Sequence, residues 1–557
     1  MITVRRIALG LLALFVLWIG LLLWPDHRPP GPPFTIAKDT TYLTEPLRAD
    51  GYVDYVAALN QRNSQGVTSE NNAVVLLWKA TGPSEIPPQQ REAYFKLLGI
   101  PPLAEKGDYF VKFETFAAEK EAEAQRAAEQ KAVQAEGPGE DEQDRNGQAE
   151  EKKPLSLWKQ LGRARLRPWS KDEYPLLAEW LAANQRALAI VLEASTRPRY
   201  YSPLVGETDD WRGSLALAGI DATRNAAEAI VVRAMLRLHE GRTREAWQDL
   251  LAVHRLARLV GQDPRVMGFL AGTALEGHSC VGDQALLQHP QLSITEIRKM
   301  RSELAALPSP LPLADRLDSA ERCLSLDVVA WISRKGFQAL GTFNAVSTRL
   351  GTLPPFLNRL AIRQIHWDRV LRMVNAGLDR AAAACRRPNY QERKEALNRI
   401  SEELDILGKD ALDTKGVALD LLFLRRKALS DRVGHAILAM ILPGLAMVAE
   451  IEDRSNMQFN LTVLGLALAE YRAEHGSYPS RLAELAPKYV PKVPRDLFND
   501  EDLHYQLKDD GYALWSVGPN GVDDGGKNRT DHEYSDAYES WDELSVRVPA
   551  PQGPGER

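Results

Sequence analysis

The densest run of oxygen-bearing side chains on turn-forming residues lies near the C-terminus, SVGPNGVDDGGKNRTD from Ser516 to Asp531. Calcium takes about six to eight oxygens from carboxylates, amides and carbonyls on a tightly turned backbone. Asp523 and Asp524 supply charge and the glycines supply turns, so the chemistry this run suits is hard-cation binding. A solvent-exposed, Asx-rich turn with no ion is the alternative. Elsewhere the candidates are weaker. The ten histidines are scattered; His239 and His254 fall on two helices of one hairpin and could approach each other. His278, Ser279 and Cys280 are adjacent, but sequence neighbours do not face each other on a helix. Glu321, Asp327 and Asp368 are a conceivable carboxylate set that spacing does not single out from the 75 acids. There is no G-x-S-x-G, H-E-x-x-H, Walker loop or dinucleotide fingerprint. Cys280, Cys323 and Cys385 lie far apart, with no metal spacing and no disulfide framework, and each reads as the filler of a small buried site. No residue is assigned a catalytic role.

The elements that must position these residues are mostly helices. Apolar periodicity predicts short helices over Tyr52–Asn60 and Asn71–Trp78, and a solvated helix over Phe113–Ala135. Glu136–Lys153, EGPGEDEQDRNGQAEEKK, has Ala149 as its one apolar residue and reads as a disordered linker. Order resumes at Pro154, with long helices over Tyr174–Glu193, Asp221–Leu238, Thr243–Val260, Ile294–Leu307 behind a capping box at Ser293–Glu296, Ala314–Lys335, Leu357–Cys385, Asn389–Leu407 and Val417–Leu429. The stretch from Leu236 to Pro264 resembles one tetratricopeptide hairpin in Gly241, Glu245-Ala246 and Asp263-Pro264. No second copy follows at a period of about 34 residues, so a helical bundle is the better reading.

From Leu461 to Gly521 the punctuation changes. An apolar helix ends at Tyr471, Glu474, His475 and Gly476, and Gly476 suits the left-handed residue after a helix. Tyr478-Pro479 makes a turn, Leu482 and Leu485 a short helix, and Tyr489, Pro491, Pro494, Arg495-Asp496 and Phe498 a stepped loop. Tyr505, Asp509-Asp510-Gly511, Tyr512, Leu514 and Ser516 read as a hairpin. With Gly518-Pro519 and Asn520-Gly521, these residues resemble the globular part of a major pseudopilin of type II secretion. The resemblance covers about a fifth of the chain. It implies a helix packed on a small antiparallel sheet, and calcium held in the loop beyond the hairpin. By position it carries Ser516 and Asn520 onto the start of that site and Asp531 onto its later acid, with Asp523 and Asp524 as extra charge. Two features depart from the family. The hydrophobic helix of a pseudopilin follows a peptidase site with a Gly-Phe junction at its own N-terminus, whereas here most of the chain precedes the module and its nearest apolar run, Ala436–Ala449, has no such junction. The closing Asp-Ile before Ser-Trp is replaced by Tyr538-Glu539 ahead of Ser540-Trp541. Tyr42 to Trp78 is similar to a segment of membrane-anchored bacterial helical proteins to which no activity attaches.

The address is written at the other end. Arg5-Arg6 precede an uncharged run from Ile7 to Trp24, close to the roughly 20 residues of a spanning helix. Pro25 and the spacer HRPPGPP end it. A signal anchor left uncleaved is preferred to a cleaved signal peptide, because no small-residue cleavage site follows. The basic pair places the bulk of the chain outside the cytoplasm. The run Ala436–Ala449 is short and interrupted by Pro443-Gly444. A net charge of −6 spread over both signs argues against nucleic acid as a partner.

The expected architecture is mainly α: residues 1–33 anchor and spacer, 34–135 N-terminal helices, 136–153 linker, 154–433 helical bundle, 434–548 the α+β pseudopilin-like module, 549–557 tail. The expected role is an extracytoplasmic structural or interaction protein of a bacterial cell envelope, held in the bilayer through Ile7–Trp24 and meeting an envelope protein partner. A hydrolase with an unrecognised site and a periplasmic binding module are the alternatives.

Overall fold

The computed structural model describes residues 31–135, 155–205, 218–290, 292–337, 361–411, 413–442, 444–508, 511–528 and 541–549. The expected anchor, the acidic linker and Asp531 lie outside them. The described chain is mainly helical, with one three-stranded sheet. Its contacts gather into two compact units that interleave along the sequence: 1–59, 320–381 and 398–444 in one, and 60–319, 382–397 and 445–557 in the other. This differs from the expected linear order, because the partners of the C-terminal helix come from far upstream.

In the larger unit, α1 (Ile220–His239), α2 (Thr243–Val260), α3 (Val266–Leu287) and α4 (Ile294–Ala305) pack with a long helix, α9 (Leu445–His475). The α1–α2 hairpin and its Gly241 turn stand as the sequence predicts, with Gly241 in the left-handed region at φ 72°. Asp249 of α2 is fully buried and takes both Arg233 and Arg237 of α1, at 2.7 and 2.6 Å. The capping box holds: Ser293 and Glu296 satisfy each other's backbone at the start of α4. Helix α3, which apolar periodicity did not mark, crosses α2 closely. A Cβ on Gly282 would lie 2.3 Å from Leu250 Cδ2, so a larger residue there would force Leu250 to move. On α9, a Cβ at Gly465 would meet Leu287 of α3 at 2.9 Å and both Tyr512 and Val546 of the sheet at 3.4 Å. That glycine marks where helix, helix and sheet share one core, with Leu461, Leu464 and Leu468 buried around it. Buried Glu470 ties α9 to α4 through Arg298 at 2.9 Å and Arg301 at 2.8 Å.

The sheet is antiparallel in the order β1 (His504–Lys508), β2 (Gly511–Ser516), β3 (Leu544–Val548). The hairpin is as expected, and β3 adds a strand beyond the loop. Gly476 takes φ 79°, the left-handed turn its position calls for. Elsewhere in this unit the expected helix 174–193 is two, Pro175–Ala183 and Gln185–Ala194. Buried Asn184 breaks it: its side chain accepts from Val111 N at 2.8 Å and donates to Val111 O and Trp180 O.

The smaller unit holds the helix Arg322–Lys335, most of α5 (Trp367–Cys385), the second half of α6 (Tyr390–Ala411), α7 (Thr414–Leu422) and α8 (Arg426–Ile441). The expected helix 314–335 is interrupted by a π-helical turn over Leu317–Glu321. The expected helix 417–429 is broken between α7 and α8 at Leu424, whose φ is 51°. Helices α5 and α8 lie side by side and run the same way: His366 N donates to Ser430 Oγ at 2.8 Å, Arg369 pairs with Asp431, and further along Gly377 abuts Leu438. Among the described residues one stretch, Arg426–His475, is long and apolar enough to cross a membrane by length and composition, with 41% of its most apolar window buried. It comprises α8 and α9 and extends well past the expected run at 436–449.

Candidate functional site

Among the described residues, a histidine, a serine and two carboxylates converge between α2, α3 and α9. Glu276, Ser279 and Asp283 recur on α3 at helical spacing, so one face of a mostly apolar helix carries these three polar groups. That face meets His254 of α2. His254 Nδ1 lies 2.8 Å from Glu276 Oε1, and Nε2 lies 2.7 Å from Asp283 Oδ2. Arg258, one turn along α2, reaches Glu276 Oε1 at 3.3 Å. Phe459 of α9 closes the site, its ring edge-on to the imidazole and 4.7 Å from the Arg258 guanidinium. Cys280 fills the neighbouring space against Thr462.

Two cations thus face two carboxylates, and side-chain exposure is 0% for His254, 4% for Glu276 and 2% for Asp283. Burial alone would drive the proton off His254; the charges and hydrogen bonds of Asp283 and Glu276 reverse that and hold it up to about 10. Burial raises the Asp283 carboxyl, against the pull of the imidazolium. Glu276 Oε2 and Asp283 Oδ1 are buried without a hydrogen-bond partner, which adds to the cost of the cluster.

The direction of the serine hydrogen bond decides what this arrangement can do. Ser279 Oγ is 3.1 Å from His254 Nδ1 and 2.9 Å from the Glu276 carbonyl. With both ring nitrogens protonated between carboxylates, Nδ1–H points to Glu276 Oε1 and leaves no ring lone pair for the serine proton, so the hydroxyl donates to the Glu276 carbonyl. A nucleophile needs the reverse, a neutral imidazole taking the hydroxyl proton. The cluster is therefore built as an ion-paired lock between helices, and such locks depend on every member being present.

Several of the sequence candidates fall among the described residues. His239 ends α1 on the surface, and the meeting with His254 does not form. Ser279 partners His254 rather than adjacent His278, whose imidazole is pushed down to about 4 by burial and by Arg165 and Arg224. Asp327 is partly buried near Arg48, 3.9 Å away, and Asp368 binds Thr35 at the surface, so the two belong to separate contacts. All three cysteines are buried and none forms a disulfide.

At the end of β2, Ser516 is wholly buried and donates to Asp496 Oδ1 at 2.8 Å, while Val517 N holds Oδ2. Its hydroxyl closes the stepped loop onto the sheet. Asn520 Oδ1 accepts from Val522 N at 2.7 Å in an Asx turn. Asp523 Oδ1 takes Trp515 Nε1 and Gly525 N, both at 3.0 Å. Asp524 N donates to Glu543 Oε1 at 2.6 Å, and Asp524 Oδ2 and Glu543 Oε2 are buried without hydrogen-bond partners. Burial, with Asp523 and Asp524 close by, pushes the Glu543 carboxyl up to about 7. Two orphaned carboxylate oxygens fit a cation; the hydroxyl of Ser516, already engaged, does not. Among the described residues no three His, Cys, Asp or Glu are grouped to hold an ion, so carbonyl oxygens or Asp531 would have to complete the shell. Glu543, beside the loop on the approach to β3, escaped the sequence reading.

No family model, no curated protein and no solved structure matches the chain.

Proposed function

We propose that this chain is a membrane-anchored, extracytoplasmic structural or interaction protein of a bacterial cell envelope, with a C-terminal module laid out like the globular part of a type II secretion pseudopilin. The observation that carries this reading is the sealed His254 cluster, where the best set of acid, base and hydroxyl groups is spent on joining α2 to α3. The same holds of Asp249 between α1 and α2, and of Glu470 between α4 and α9. The order helix, short 3-10 turn (Leu482–Leu485), stepped loop and antiparallel sheet supports the module resemblance. The uncharged run at 7–24 supports the anchor.

The test is made on the full chain in its native membrane. It should resist extraction at alkaline pH, and photo-crosslinkers on its surface should trap a discrete envelope protein. His254 should escape diethyl pyrocarbonate until the chain unfolds. Modification of His254 in the folded protein would mean that the cluster opens to solvent and would revive a hydrolase.

A second reading, an extracytoplasmic binding module, is favoured by one feature. A cleft of about 460 Å³ in the larger unit is lined by Arg62, Arg199, Arg258 and the proline-rich loop 308–312. Arg62 and Arg199 would suit a small anion, and a rise in melting temperature with a carboxylate or phosphate ligand would support it.

A further inference from the structure

The break between α7 and α8 leaves six consecutive side chains exposed, Leu422, Phe423, Leu424, Arg425, Arg426 and Lys427. Leu422, Phe423 and Leu424 are 49, 61 and 40% exposed, and Leu419, one turn earlier, 49%. Single exposed apolar residues are ordinary, but a contiguous apolar tip marks a contact surface. Leu424 closes α7 in the left-handed conformation, at φ 51°, where glycine is the usual residue. A leucine held there against its own preference keeps an apolar side chain on the tip. The cations follow at once. Arg425 lies 5.4 Å from the Phe423 ring centroid, and Arg426 is steadied by Gln364 through Nε at 2.6 Å.

The tip's place in its unit says what covers it. Helices α5 and α8 start at the same end, and the tip leads into the start of α8. Thr35, two residues past the proline spacer, is bound there as well: its N and Oγ1 donate to the carboxylate of Asp368, in the first turn of α5, at 2.7 and 3.0 Å. Arg372 holds Asp39 beside it at 2.7 Å. The chain arriving from residues 7–24 therefore joins the unit at the end where the tip stands. The spacer, residues 25–33, spans roughly 30 Å at most in an extended proline-rich conformation.

We propose that Leu419 and Leu422–Leu424 dip into the interface of an anionic bilayer, while Arg425, Arg426 and Lys427 meet headgroup phosphates. This inference rests on the anchored reading. Apolar side chains flanked by cations are the chemistry of interfacial membrane binding, and basic residues are drawn to anionic lipid. The anchor tethers the chain, and the tip sets the attitude of its unit against the surface.

The test uses the full chain carrying Phe423→Cys labelled with the environment-sensitive fluorophore NBD; wild type, with three buried cysteines, is the labelling control. In phosphatidylglycerol nanodiscs the emission should shift to the blue and be quenched by doxyl groups on the lipid. The shift should be smaller in phosphatidylcholine, and Arg425→Glu with Lys427→Glu should remove the difference between the lipids. These positions are exposed, and an unchanged circular dichroism spectrum checks the fold. An integral chain whose probe stays water-like in both lipids overturns the tip and keeps the anchor. A chain extracted at alkaline pH whose probe still shifts on phosphatidylglycerol vesicles keeps the tip and removes the anchor. A shift that grows with protein concentration in the absence of lipid would assign the face to self-association and overturn the proposal.

Discussion

His254 carries a charge only because Glu276 and Asp283 surround it, and they are tolerable in the interior only because it is there. His254→Leu should therefore cost about 3–5 kcal/mol, the usual effect of stranding a buried charge. Replacing all three by leucine should recover most of that loss, because an apolar core of similar volume needs no pairing. Urea unfolding of the two variants checks the contrast. The pH dependence follows from the same group. Its folded proton is held up to about 10, above the ordinary value near 6.5. The stabilisation is thus complete below about pH 6.5 and is lost as pH rises through about 10. Asp283, raised by burial, acts in the same sense, its contribution falling away as pH rises above the ordinary carboxylate range. Wild type should lose more stability than the triple-leucine variant between about pH 6 and pH 10; parallel profiles would show that His254 is neutral in the fold.

At the scale of elements, two local features turn on one or two side chains. Asn184 is buried and satisfies both polar groups of Val111, so Asn184→Ala should cost about 2–3 kcal/mol through the unpaired backbone it leaves behind. Helical content should not fall, because alanine lets the helices on either side join. The loop after β2 is the second case. If Asp524 and Glu543 hold calcium, affinity in an extracellular module is about 10⁻⁴ to 10⁻³ M, and a ten-fold excess of ion over that value stabilises by about 1.4 kcal/mol. A proton competes for Glu543 up to about pH 7, so calcium should raise the melting temperature more at about pH 8 than at about pH 6. Asp524→Asn, like Asp531→Ala, should abolish the rise, whereas Asp509→Ala, between β1 and β2, should leave it. A melting curve unmoved by calcium at either pH would make this an ordinary Asx turn.

Taken whole, the chain is proposed to cross the bilayer once, near its N-terminus, and that can be read from its two ends. Reporter fusions at Ala135 and Gln552 should both be active only outside the cytoplasm. A cytoplasmic result at Gln552 alone would mean that the apolar stretch Arg426–His475 spans the membrane. Against that, the α9 portion carries Asp453, paired with Arg393 at 2.6 Å, and Glu470, paired with two arginines. Withdrawing such partners into lipid, or stripping them away, is expensive.

The sequence by itself determined what depends on neighbours in the chain: the helical class, the α1–α2 hairpin and its Gly241 turn, the Ser293–Glu296 cap, the left-handed Gly476 and the β1–β2 hairpin. Each is set by periodicity or by local backbone preference, so a short window contains its cause. Tertiary structure alone decided the rest. Helix α3 is apolar almost all round, so periodicity left it unmarked; its one polar face, Glu276, Ser279 and Asp283, is recognisable only by the spacing of three acceptors, and its partner His254 sits on another helix. The break at Asn184 depends on Val111 and the orphaned oxygen of Asp524 on Glu543, all distant in sequence. The interleaving of the two units has the same origin. Helix α9 buries its apolar face against α3 and α4, far upstream, and a pairing over that separation leaves no trace in the local order of residues.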